Sequence, residues 1–79
     1  MLSLKNILLD IARAIVDYPD DVVVTEQENE NEVTLTLCVH ADDMGMVIGR
    51  HGRIAKAIRM VMKAAAGTCG KKVNVEIKD

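Results

Sequence analysis

The sequence predicts an α+β two-layer sandwich, with helices covering one face of a three-stranded mixed sheet. Three features predict it. Two long stretches have helical periodicity, the second of two strand-like runs alternates strictly, and a final alternating run is reached through a helical crossover. The element order is helix, strand, strand, helix, helix, strand.

Leu4, Ile7, Leu8, Ile11, Ala12 and Ile15 recur at helical spacing, with Lys5, Asp10, Arg13 and Asp17 turned away, which predicts an amphipathic helix over 2–17. Tyr18-Pro19-Asp20-Asp21 ends it, because the residue before a proline is steered out of the α region. Val22-Val23-Val24-Thr25 begins a strand, and Glu28-Asn29-Glu30-Asn31 reads as a hairpin turn. From Val33, the side chains of Val33, Leu35, Leu37 and Val39 fall on one face and those of Thr34, Thr36, Cys38 and His40 on the other. Ala41 to Ile48 is expected to be a short helix, with Asp42 and Asp43 suited to its start. Arg53 to Ala66 is the second long helix, with an apolar stripe of Ile54, Ile58, Val61 and Ala65, nearly opposite Arg53, Lys56, Arg59 and Lys63; Gly67 stands where a C-terminal cap belongs. Lys71 to Lys78 closes the chain as a strand with Val73, Val75 and Ile77 inward. The first two strands make an antiparallel hairpin, and the crossover sets the third parallel to the second.

With 79 residues, 1–79 reads as one domain with a thin core and no deep cleft. Apolar residues make up 49% of it, which argues for a folded chain, but they are aliphatic: Phe and Trp are absent and Tyr18 is the only Tyr. An aromatic stacking platform is therefore poorly supplied. Cys38 and Cys69 form no CxxC pair and have no His partner at metal-ligand spacing, so they read as reduced thiols of a cytoplasmic protein. His40 and His51 with Asp42 or Asp43 match no metal-site spacing, and no metal or cofactor is expected. Asp10 and Arg13 interrupt the N-terminal apolar run, which rules against a signal peptide, and no stretch approaches the length of a membrane span. No grouping supplies a nucleophile with its base, so catalysis is not expected.

The net charge is −2, but it is unevenly spread. Residues 1–43 hold ten acidic side chains and only Lys5 and Arg13 as basic ones, whereas 44–75 hold Arg50, Arg53, Lys56, Arg59, Lys63, Lys71 and Lys72 and no acid. The basic half contains Met46-Val47-Ile48-Gly49-Arg50-His51-Gly52-Arg53-Ile54. Gly49 and Gly52 permit a sharp bend and close approach of a ligand. The helix that follows offers free N–H groups and the positive end of its dipole, which favour phosphate. Arg50 and Arg53 add charge and His51 a donor, with Lys56 one turn on, while Val47, Ile48, Ile54, Ile58 and Val39 are expected to line an aliphatic groove for bases. No Walker A spacing follows, and no strand precedes the loop as a dinucleotide fingerprint requires.

The run Asp43-Met44-Gly45-Met46-Val47-Ile48-Gly49-Arg50-His51-Gly52-Arg53-Ile54-Ala55-Lys56-Ala57-Ile58-Arg59 resembles the core of KH domains. Ile15-Val16-Asp17-Tyr18-Pro19-Asp20 and Gly70-Lys71-Lys72-Val73 extend the likeness over the whole chain to the small stand-alone bacterial KhpA family. That family's loop usually carries Lys first and often Gln second, where this chain has Arg50 and His51. The resemblance implies a type II KH fold and a non-catalytic, cytoplasmic binder of single-stranded RNA. It also implies a partnership with a larger KH protein of the Jag/KhpB type and an RNA-chaperone role in cell elongation and division; the weak grip expected of one copy points separately to a homodimer or heterodimer on the RNA.

Duller readings stand beside these. Gly49 and Gly52 can make a plain inter-helix turn, the cationic face of the long helix can be merely solvated, and Met44, Met46, Met60 and Met62 can be packing filler. Two other functions stay open: a protein-interaction module that docks through the acidic half or the outward sheet face, and binding of single-stranded DNA.

Overall fold

A computed structural model describes residues 3–68 and 70–79. Its elements are α1 (Leu4–Ile15), β1 (Val23–Glu28), β2 (Glu32–Cys38), α2 (Met44–Ile48), α3 (Arg53–Ala65) and β3 (Lys72–Lys78). The sheet order is β1-β2-β3, with β1 antiparallel and β3 parallel to the central β2. This is the predicted α+β sandwich, with the αββααβ order of a type II KH-like fold. Leu4 begins α1 behind an N-cap at Ser3, whose hydroxyl accepts from the Asn6 N–H; the expected start at Leu2 lies outside the described residues. Asn29 closes the β1–β2 hairpin, its Oδ1 accepting from the N–H groups of Asn31 and Glu32 at 2.9 and 2.8 Å.

Val33, Leu35, Leu37 and Val39 are buried as expected, together with Val22 and Val24 from the β1 side and Leu8 and Ala12 from α1. The open face of the sheet is polar: Thr34 and Thr36 lie half-buried along the central strand, while Val23 on the edge is exposed. Cys38 is a free, half-buried thiol on that face, and Cys69 lies outside the described residues. Among the described residues no helix is long and apolar enough to cross a membrane.

Three expectations are corrected. The first concerns Asp43, which stands at the start of α2 as expected but whose side chain does not cap that helix. It is only 1% exposed, and its carboxylate accepts the Asp17 and Tyr18 N–H groups at 3.3 and 3.0 Å. This long-range clasp draws the chain out of α1 after Ile15, two residues before the expected end, and splits the predicted 41–48 helix into a 3₁₀ turn (Ala41–Asp43) and α2. The Asp42 N–H is taken by His40 Nδ1 at 3.0 Å, and the His40 ring stacks on Tyr18 with centroids 4.2 Å apart.

The second is the core stripe of α3, which is Ala55, Ile58, Met62 and Ala66. Ile54 and Val61 are exposed instead, at 37% and 49%. Ala55 and Ala66 are small residues buried on this face, and flexible Met62 joins Ile58 in the core cluster; Met60, by contrast, is exposed. The third is Gly67, which does not take a left-handed cap conformation. The helix ends at Ala65 with Ala66 as its cap, and the left-handed glycine before β3 is Gly70 (φ 71°).

Asp43→Ala is expected to lower stability by about 2–4 kcal/mol, because two part-buried donors lose a charged acceptor. Asp42→Ala, at an exposed position in the same turn, serves as control. Equal urea midpoints for the two variants would contradict the clasp.

Candidate nucleic-acid interface

The loop between α2 and α3 is one 3₁₀ turn, Arg50–Gly52, whose backbone is unusual at three positions. Gly49 (φ 76°, ψ 174°) occupies a region that is essentially closed to side-chain-bearing residues. His51 (φ 58°, ψ 24°) is the only left-handed non-glycine residue among those described, and Gly52 (φ 72°, ψ 16°) follows it in the same region. A left-handed histidine is tolerated but strained, by about 1–2 kcal/mol. The strain turns the chain so that α3 starts directly behind the loop.

The loop amides are partly committed. The Gly49 N–H donates to the Gly45 carbonyl at 2.9 Å, Gly52 to Gly49 at 3.1 Å, and Arg53 to Arg50. The Arg50 and His51 N–H groups have no acceptor among the described residues, so the free N–H groups of the loop are these two. Arg50, His51 and Arg53 are exposed, as is Lys56 one turn into α3. Positive potential at the loop therefore comes from two free amides, the α3 N-terminus and three full charges, with no acidic side chain between residues 44 and 75.

The two glycines differ in kind. A Cβ on Gly49 would lie 2.6–2.9 Å from the Ile54 side chain, whereas a Cβ on Gly52 would meet nothing within 4 Å. Gly49 holds the loop against α3, and Gly52 faces open space.

The expected aliphatic groove is narrower than predicted. Val47, Ile58 and Val39 belong to the core, at 0%, 3% and 5% exposure. Of the five residues assigned to the groove, Ile48 and Ile54 keep exposed surface beside the loop, each at 37%. Helical geometry separates the flanks of α3. Ile54, Ala57 and Val61 turn toward Ile11 and Ile15 of α1, enclosing an apolar trough of about 440 Å³. Lys56, Arg59 and Lys63 lie on the other flank, toward β3, where Arg59 Nε donates to the Val75 carbonyl at 3.2 Å. Lys63, Lys71 and Lys72 border a second depression at the far end of this flank, where Lys71 also pairs with Glu28 at 2.8 Å. Sequence reasoning missed the Arg59 contact, since its partner lies 16 residues away and is a backbone atom.

The family model described as "KhpA/KhpB, KH domain" matches residues 5–77. The chain belongs to this family. The KhpA/KhpB assignment has close relatives behind it. An RNA-binding protein KhpA from Clostridium acetobutylicum is 53% identical over 74 residues, covering 94% of this chain and 99% of that protein. The KhpA of Halalkalibacterium halodurans is 46% identical over 76 residues (96% and 100%), and that of Bacillus subtilis 43% over 76 residues (96% and 94%). The fold is also that of part of Era. In the crystal structure of Era in complex with MgGDPNP and nucleotides 1506-1542 of 16S ribosomal RNA, the match has a TM-score of 0.65 at 18% identity and spans 95% of this chain but 29% of that one.

Proposed function

We propose that this KhpA/KhpB-family chain is a non-catalytic RNA-binding protein that holds the backbone of single-stranded RNA at the Gly49–Gly52 loop. The observation that carries the reading is the pair of free amides at Arg50 and His51, set in a strained turn at the start of an acid-free, cationic helix. The names of the KhpA relatives support RNA as the ligand. The two amides and the α3 N-terminus seat one phosphate; Arg50 and Arg53 hold it and its neighbour, with Lys56 next along the helix. The strand then follows the cationic β3 flank rather than the apolar α1 flank, since phosphates seek charge. Exposed Ile48 offers a base a surface beside the loop.

A grip this short binds weakly and reads few bases, KH loops clamping about four nucleotides. Useful affinity then requires a second RNA-binding unit on the same strand. The α1–α3 trough supports such assembly, being a largely aliphatic, exposed surface that Arg53 borders and that lies across α3 from Lys56, Arg59 and Lys63. Its occupant in this reading is a second copy or a KhpB/Jag-type KH protein.

The salt dependence of binding tests the backbone grip. With three phosphate contacts, the affinity for a short single-stranded oligonucleotide falls with a log–log slope of roughly −2. A slope near zero would mean that backbone charge is not what the loop holds.

A further inference from the structure

β3 is an edge strand, paired with β2 on one side only. In a parallel ladder a residue turns its N–H and C=O to the same side, and alternate residues turn to opposite sides. The Lys72 N–H donates to the Asn31 carbonyl and the Lys78 carbonyl accepts the Val39 N–H, so the even-numbered residues face β2 and its extensions. Val73, Val75 and Ile77 therefore turn their peptide groups to the free edge. At the middle of that edge the Val75 carbonyl is occupied by Arg59 Nε. The terminal Nη groups of Arg59 meet no acceptor among the described residues.

The consequence is chemical. An open strand edge offers a base both donors and acceptors, and adenine needs both, since its amino group donates beside a ring nitrogen that accepts. Here the guanidinium covers the central acceptor and replaces it with donors. Arg59 also lies on the same stripe of α3 as Gly52 and Lys56, at successive spacings of four and three residues, so a strand leaving the loop along this flank passes over it.

We infer that Arg59 sets the base preference of the bound strand. At Val75, the middle of the edge, the α3–β3 flank presents donors only. It takes a base edge with two adjacent acceptors, cytosine N3 and O2 or guanine N7 and O6, and discriminates against adenine. Val75 is the positioning partner: its carbonyl fixes the plane of the fork, which a free surface arginine would not hold. This inference rests on the proposal that RNA is held at the loop.

The test uses fluorescence anisotropy with uridine hexamers whose two central bases are cytosine, guanine or adenine. The proteins are wild type, Arg59→Ala, Arg59→Lys and Gly52→Asp, each checked for folding by circular dichroism. Wild type is expected to bind the cytosine or guanine oligomer about tenfold more tightly than the adenine oligomer, the value of one good bidentate contact. Arg59→Ala is expected to bring the three within about twofold of one another, the Val75 carbonyl now being free to accept from adenine. Arg59→Lys keeps the charge but not the fork, and loses the preference as well. Uniform weakening with the ratios intact in both Arg59 variants would make the residue a plain phosphate contact and overturn the inference, as would a wild type indifferent to the central base. Failure of the underlying reading looks different: Gly52→Asp would then bind all three oligomers as well as wild type does.

Discussion

Replacing Gly52 with aspartate is expected to leave the fold standing and to weaken single-stranded RNA binding by roughly tenfold to a hundredfold, the equivalent of one or two lost charge-assisted hydrogen bonds. The fold survives because a Cβ at this position meets open space, and because Asp, like Asn, visits the left-handed region that φ 72° requires. Binding weakens, because the new carboxylate stands beside the Arg50 and His51 amides where phosphate is seated, and like charges repel there. Gly52→Asn is the matched control, with the same shape and backbone demand but no charge. Its affinity should stay within a fewfold of wild type. Equal affinities for the Asp and Asn variants would mean that no phosphate approaches Gly52.

The second large effect belongs to the other glycine and is read as stability. Gly49→Ala is expected to cost about 2–4 kcal/mol, combining a backbone region closed to alanine with overlap against a packed side chain. The overlap reaches Cβ and Cγ1 of Ile54 as well as the terminal Cδ1, and Cβ, fixed to the helix backbone, cannot swing aside. A domain of this size holds only roughly 4–12 kcal/mol in total. The melting temperature should therefore drop by roughly 10–20 °C, whereas Gly52→Ala, with left-handed strain alone, should cost about 1–2 kcal/mol. Matching losses at the two positions would contradict the distinction between them. It follows that a double substitution of both glycines confounds folding with binding, and that Gly52 is the position at which to probe the ligand.

Much of this architecture was legible in the sequence because it is written in local periodicity. The strict alternation from Val33 to Val39 fixed the inward face of β2, and the crossover from β2 to β3 fixed their parallel pairing. The two glycines bracketing Arg50 and His51 marked the loop. What stayed illegible depends on partners distant in sequence or on backbone already in use. The Asp43 clasp joins residues 25 and 26 positions apart, so a local reading could only make it a helix cap. The face that α3 buries includes small Ala55 and Ala66, which hydrophobicity ranks below the exposed Ile54 and Val61. That Val47, Ile58 and Val39 are core follows from the same packing. No sequence pattern tells which loop amides are already paired. The left-handed His51 gives a faint clue, histidine being among the few residues enriched there.

The most direct measurement is a titration of ¹⁵N-labelled protein with a short single-stranded RNA, followed amide by amide. The largest shifts should fall on Arg50 and His51 and continue along the β3 flank through Lys56 and Arg59, with Ile11 and Ile15 of α1 unmoved. Shifts confined to the α1–α3 trough or to the open face of the sheet, with Arg50 and His51 silent, would contradict a phosphate seat at this turn.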